Sequence, residues 1–225
     1  MLRHAIFDMD GTLLASTGLQ GSDGMWDTLS TALLARWGFP YTDEDRTNTS
    51  TMTIEGTAAY YVARYCLPIA ATELADEIRL AARKAYAEQT APKPGVLQAI
   101  GILHEQGIPC CVASATDLTL VEAALTNHGL RDRFAFVLSC EAPEGKANPE
   151  VFLRAMRQLG AVSPAEVMVF EDSLTAARTA KTLGCYVVGV RDRCTEANWP
   201  ALQAVADETV EDWAVWAAGQ AKKIL

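Results

Sequence analysis

Long apolar runs are absent from this chain of 225 residues, in which no stretch approaches the roughly 20 consecutive apolar residues that cross a bilayer. Residues Met1 to Asp10 run straight into a strand-like segment without a secretory signal pattern. Both point to a cytoplasmic protein. Positive charge is scarce: 19 Lys and Arg stand against 28 Asp and Glu, a net charge of −9, so the average surface repels phosphate backbones and anionic headgroups. Nucleic acid and membrane are therefore excluded as expected partners. The six cysteines (Cys66, Cys110, Cys111, Cys140, Cys185, Cys194) include no CxxC pair, and His4, His104 and His128 are scattered rather than gathered at ligand spacing. Reduced core thiols and structural imidazoles fit this pattern better than zinc or redox chemistry. No internal repeat is present, which removes solenoid arrays. What remains, 50% hydrophobic and 21% charged, is the composition of a folded protein with one large domain or a domain carrying a smaller insertion.

From Gly95 onward helix and strand patterns alternate, with glycine marking helix ends. Val96, Leu97, Ile100 and Leu103 form a helical stripe stopped at Gly107, and residues 108–113 read as a buried strand. Leu118 to His128 reads as a helix stopped at Gly129, followed by a strand over 134–138. Asn148 reads as an N-cap with Pro149 at the first helical position, in a helix ending at Gly160. A strand over 167–170, a helix from Leu174 to Leu183 and a strand over 185–190 complete the series, and Val210, Trp213, Val215 and Trp216 suggest a closing helix. Apolar strands alternating with helices imply a doubly wound parallel sheet covered on both faces, an α/β architecture. His4 to Phe7 is one more such strand, separated from the rest by a long insertion.

The insertion has helical stripes only: Met25, Trp26, Leu29, Leu33 and Trp37; Ile54, Ala58, Tyr61, Val62 and Tyr65; Leu74, Ile78, Ala81, Ala85 and Tyr86. The expected division is a discontinuous α/β core, 1–15 and 93–225, with a helical domain over 16–92. It is entered through Ala15-Ser16-Thr17-Gly18 and left through Pro92-Lys93-Pro94-Gly95, and the polar segment Asp43 to Thr53 reads as a loop within it.

The sharpest motif is Phe7-Asp8-Met9-Asp10-Gly11-Thr12-Leu13-Leu14, an apolar strand ending in two carboxylates. Ligands of open α/β sheets bind at this carboxyl end. Two carboxylates about 4 Å apart repel by about 4 kcal/mol at an effective dielectric near 20, so keeping both ionised calls for a cation. Glu171-Asp172 ends another strand. If the two strands are neighbours, four carboxylates share one crevice, an all-oxygen set suited to Mg²⁺. A calcium loop starting at Asp8 fails on spacing, since Leu13 and Leu19 stand where glycine and glutamate are needed. Turn formation or capping explains one acid pair alone, and two pairs at strand ends less well. Ser114, with the open amides after it, and Lys146 beside a helix start bring a hydroxyl and a cation to the same edge, where they suit a phosphoryl group.

These segments in this order resemble the haloacid dehalogenase superfamily, specifically its phosphatases and phosphomutases with a helical cap inserted after the first motif. The resemblance covers nearly the whole chain and is strongest at Asp8 to Leu14 and Glu171 to Ser173. It implies that the strand bearing Asp8 lies between those ending at Phe170 and Ala113. It further implies Asp8 as nucleophile, Asp10 as general acid/base, Ser114 and Lys146 as phosphoryl ligands, and Asp8, Asp10, Glu171 and Asp172 around Mg²⁺. Backbone amides at Met9, Asp10 and Ala115 would help hold the phosphoryl oxygens. Three departures stand out: Ala15-Ser16 where an acid is common, Lys146-Ala147-Asn148-Pro149 where Lys-Pro-x-Pro is common, and Ala176 in place of glycine. The Asp10 carboxylate argues against the dehalogenases and phosphonoacetaldehyde hydrolases.

The implied function is a Mg²⁺-dependent phosphatase acting on a small phosphorylated metabolite through an aspartyl phosphate. A phosphohexomutase resembling β-phosphoglucomutase is the alternative, but such mutases use a cap histidine, and no histidine occurs between Thr12 and Pro94. A non-catalytic phosphate-binding or regulatory protein would have little need for both Asp8 and Asp10. In the insertion, Arg46, Asn48 and Thr49 are the candidates for choosing the substrate, and nothing in the sequence sets an oligomeric state.

Overall fold

A computed structural model describes residues 2–15 and 24–221 of the chain. β1 (His4–Phe7) is followed by the helices α1 (Met25–Ala35), α2 (Asp43–Thr49), α3 (Ile54–Tyr65) and α4 (Ala71–Glu88). Then come α5 (Val96–Glu105), β2 (Cys110–Ser114), α6 (Leu118–Asn127), β3 (Val137–Ser139), α7 (Glu150–Leu159), β4 (Val167–Glu171), α8 (Leu174–Leu183), β5 (Tyr186–Val190), α9 (Trp199–Val205), β6 (Glu208–Val210) and α10 (Trp213–Ala221). The strands form one parallel sheet in the order β3-β2-β1-β4-β5-β6. β1 thus lies between β2 and β4, as the resemblance implied.

Alternation along each strand divides the core between two faces. Ala5, Phe7, Val112 and Phe170 pack with α5, α6 and α10, while Ile6, Cys111, Ala113 and Val169 pack with α7, α8 and α9. On the first face the Phe7 and Phe170 rings stack at 4.3 Å and lean on Trp213, contacts worth about 0.5–1.5 kcal/mol each beyond buried area. That stack fixes what matters for the site. Phe7 is in register with Phe170 on one side and Val112 on the other, so the strands end level, and Asp8, Glu171 and Ser114 emerge at one edge.

Several elements differ from the sequence expectation. The polar segment 43–53 holds the helix α2 instead of a continuous loop. Thr42 and Asp45 form a reciprocal capping box, and the fully buried Asp45 carboxylate pairs with Arg64 Nε at 3.0 Å and accepts from Tyr65 at 2.6 Å. Val210 lies on the edge strand β6, not in the closing helix, and α9 was not anticipated. Pro149 is itself the residue before the first turn of α7, and Asn148 Oδ1 accepts from Glu150 N at 3.0 Å.

The segment containing α1 to α4 connects to the sheet through two backbones running side by side. Ala15 N donates to Ala91 O and Lys93 N donates to Leu13 O, both at 2.9 Å. Of the first expected connection, Ser16, Thr17 and Gly18 lie outside the described residues. α4 buries Leu74, Ala75, Ile78, Ala82, Ala85 and Tyr86, and the last of these reaches the sheet edge.

Candidate active site

Lys146 is the centre of the site. It is fully enclosed, ion-pairs with Asp8 Oδ1, and donates to Glu171 Oε1 at 2.5 Å. Burial works against its charge, but Asp8 and Glu171 outweigh that and hold the ammonium pKa above its ordinary value. Glu171 is pushed up by burial and by the Asp8 charge, against the pull of Lys146, and its second oxygen accepts from Ser173 N at 3.2 Å. Asp172 is raised well above the usual carboxylate range, first by burial and then by Asp8, Glu171 and Asp192. Thr195 Oγ1 lies 3.3 Å from Asp172 Oδ2, and Lys93 Nζ pairs with Asp192 at 2.9 Å.

Asp8, Glu171 and Asp172 each bring a carboxylate oxygen within 4.8 Å of the others, a buried cluster that could hold a metal ion. The donors are all hard oxygens, and one cation, Lys146, serves two of the three acids. The set fits Mg²⁺ or a similar ion. Gly11 makes the packing possible at φ +80, because a Cβ there would run into the Asp172 carboxylate.

Asp10 was expected as a fourth member of this group, and its carboxylate is not in it. Its side chain lies toward α4 instead: Tyr86 OH donates to Asp10 Oδ2 at 2.6 Å and Thr116 Oγ1 donates to the same oxygen at 3.1 Å. Burial, then the Asp8 charge, pushes Asp10 up to about 6, while hydrogen bonds from Tyr86, Trp26 and Thr116 pull the other way. A carboxyl group poised there can hold or release a proton near neutrality. Tyr86 and Thr116 were missed by sequence reasoning. Tyr86 reads as one more apolar residue in the α4 stripe, and Thr116 is an ordinary loop hydroxyl two residues beyond Ser114.

Ser114 is buried and its Oγ accepts from Thr116 N at 3.1 Å, which holds the loop after β2 in place. Ser114, Ala115, Lys146 and the four carboxylates Asp8, Asp10, Glu171 and Asp172 line one cavity of about 190 Å³. Met9 is fully buried in the core and does not line the cavity. The opposite wall comes from α1, α2 and neighbouring residues, including Trp26, Asp27, Arg46 and Thr49. Asn48, expected with Arg46 and Thr49, does not line the cavity; its Nδ2 donates to Tyr60 OH at 3.1 Å.

The walls are joined beside Lys146. Lys146 N donates to Thr51 O at 3.1 Å and Thr53 N donates to Pro143 O at 3.2 Å. Gly145 sits between them at φ +57, and a Cβ there would collide with the Thr51 carbonyl oxygen. Gly145→Ala should therefore destabilise the protein by about 1–3 kcal/mol through backbone strain and disturb the Lys146 backbone. Urea unfolding measures this. A variant as stable as the wild type would show that the two segments tolerate separation here.

Comparison with known proteins places this geometry in a family. The profile of haloacid dehalogenase-like hydrolases matches residues 2–184. Hexitol phosphatase B of Escherichia coli K12 is 31% identical over 180 residues, covering 79% of this chain and 78% of the relative. A probable pseudouridine-5'-phosphatase of Drosophila melanogaster is 27% identical over 197 residues, covering 84% and 81%. CbbY from Rhodobacter sphaeroides, solved with phosphate, shares the fold at a TM-score of 0.77 with 22% identity, over 95% of this chain and 96% of that one.

Proposed function

The chain belongs to the haloacid dehalogenase-like hydrolases, and we propose that it is a Mg²⁺-dependent phosphatase of a small phosphorylated metabolite, acting through an aspartyl phosphate on Asp8. The observation that carries this reading is the separation of tasks among four carboxylates. Asp8, Glu171 and Asp172 cluster together, with Lys146 paired to the first two, while Asp10 is held apart by Tyr86 and Thr116 at the cavity wall. One group of acids suits charge binding, and the solitary one suits proton transfer.

Asp8, Glu171 and Asp172 would hold Mg²⁺, which when bound offsets carboxylate charge so that a phosphomonoester dianion can approach. Lys146, the Ser114 hydroxyl and the backbone amides of Met9, Asp10 and Ala115 would hold the phosphoryl oxygens. A carboxylate oxygen of Asp8 attacks phosphorus in line, forming an acyl phosphate (a mixed anhydride) as the bond from phosphorus to the leaving oxygen breaks. Asp10 gives its proton to that oxygen. It then takes a proton from the water that attacks the aspartyl phosphate, releasing inorganic phosphate and restoring both acids. Residues 16–92, with α1 to α4, serve as the cap, and residues 1–15 and 93–225 as the catalytic core. Both Asp8 and Asp10 are present, as turnover needs, and no cap histidine favours a mutase.

The test is a Mg²⁺ titration of aryl phosphate turnover by the wild type and Asp172→Ala. The variant should need at least about tenfold more Mg²⁺, or fail altogether, because it loses one ligand of three. An unchanged titration would remove Asp172 from the metal site.

Tyr86 supplies a second check. Its hydroxyl stabilises ionised Asp10, so Tyr86→Phe leaves the proton more tightly held. Because the first step uses protonated Asp10, the alkaline limb of kcat/KM should move to higher pH, by up to about one unit. A limb that stays in place, or moves to lower pH, contradicts Asp10 as the acid.

A further inference from the structure

We propose that the alcohol released by this enzyme is uncharged, and that the cavity rejects phosphate esters carrying a second anion. This deepens the phosphatase reading above and rests on it. Among the described residues the cavity is lined by five carboxylates, Asp8, Asp10, Asp27, Glu171 and Asp172, against two cations, Lys146 and Arg46. Lys146 is committed to Asp8, Glu171 and the reacting phosphoryl group. Among the described lining residues, Arg46 is the other cation that could meet a second anion on the substrate.

Arg46 is already neutralised. Its Nε lies 3.0 Å from Asp27 Oδ2 and its Nη1 2.8 Å from Asp43 Oδ1, and the guanidinium rests over the Tyr41 ring at 5.5 Å. Tyr41 OH donates to the other Asp27 oxygen at 3.1 Å, which fixes Asp27 on the cavity wall. An incoming carboxylate or phosphate would therefore meet Asp27 as well as Arg46, and would share a guanidinium that two carboxylates already hold. The remaining wall on this side is apolar side chains such as Trp26, Leu29, Met52 and Ile78, interspersed with hydroxyls from Ser30 and Thr57. Those groups accept an uncharged chain or ring. At about 190 Å³ the cavity holds a phosphoryl group with a small leaving portion; an apolar cavity of about 150 Å³ takes one benzene ring.

The experiment compares kcat/KM for benzyl phosphate and sorbitol 6-phosphate, both with uncharged alcohols, against 2-phosphoglycolate and glucose 1,6-bisphosphate. p-Nitrophenyl phosphate serves as the general control. The better uncharged ester should exceed both doubly anionic esters by about 100-fold. Asp27→Asn, which removes the opposing charge but keeps the shape, should narrow the ratio of benzyl phosphate to 2-phosphoglycolate by about tenfold, and Arg46→Met should widen it. Hydrolysis of p-nitrophenyl phosphate with 2-phosphoglycolate or the bisphosphate preferred would overturn this inference and leave the phosphatase reading standing. A ratio that neither substitution moves would also overturn it. No hydrolysis of any ester in the presence of Mg²⁺ would overturn the phosphatase reading, and this inference with it.

Discussion

Asp8→Asn should lower turnover by at least about 10³-fold while leaving the fold in place, because the amide keeps the carboxylate's shape but is not a nucleophile. Asp8 follows the buried residues Ala5, Ile6 and Phe7 of β1, and its backbone N–H donates to Phe170 O at 3.0 Å, neither of which the substitution touches. The side chain does lose its ion pair with Lys146, which retains Glu171 at 2.5 Å. Circular dichroism and thermal unfolding should therefore resemble the wild type, while hydrolysis of an aryl phosphate is lost. Deamidation would regenerate aspartate, so the preparation is checked by mass spectrometry. Substantial activity in protein free of deamidation would exclude Asp8 as the attacking group.

Chelation should produce a loss of comparable size, about 10³-fold or more, fully reversed by adding Mg²⁺. Asp8, Glu171 and Asp172 are buried together, and burial with mutual repulsion raises Glu171 and Asp172. Without the ion a phosphomonoester dianion meets three acids and one ammonium that is already shared. Stability should respond differently. Lys146 compensates Asp8 and Glu171 in the metal-free protein, so removing the ion should leave it folded, with a lower Tm and no loss of secondary structure. Full activity after exhaustive chelation would contradict the charge argument, and global unfolding would show that Lys146 is not a sufficient counterion.

The strands that build the site were legible because each is a short apolar run ending in chemically distinctive residues. Phe7-Asp8, Phe170-Glu171 and Ala113-Ser114 mark the carboxyl ends of three neighbouring strands, and parallel register carries those ends to one edge. The helix α2 was illegible as a helix because it has no apolar stripe. A capping box and the buried Asp45, hydrogen-bonded by Thr42, Tyr60 and Tyr65, hold it instead. β6 has three residues, of which Val210 alone is buried, too few for a period-two signal, so Val210 was assigned to the following helix. Asp10 shows the limit for the site itself. Sequence spacing places it two residues from Asp8, but which way its carboxylate turns depends on Tyr86 and Thr116, 76 and 106 residues away along the chain. Hydrophobic periodicity sees the Tyr86 ring in the α4 stripe and is blind to its hydroxyl.

The most direct measurement is to catch the phosphoryl group on the protein. Enzyme turning over an aryl phosphate with Mg²⁺ is quenched in acid within milliseconds, digested and examined by mass spectrometry. Expected is one added phosphoryl group on the peptide containing Asp8, removed by hydroxylamine as an acyl phosphate is, and absent from Asp8→Asn. A phosphoryl group on any other residue, or burst-phase release of the aryl alcohol with no phosphorylated peptide, would contradict an aspartyl phosphate at Asp8.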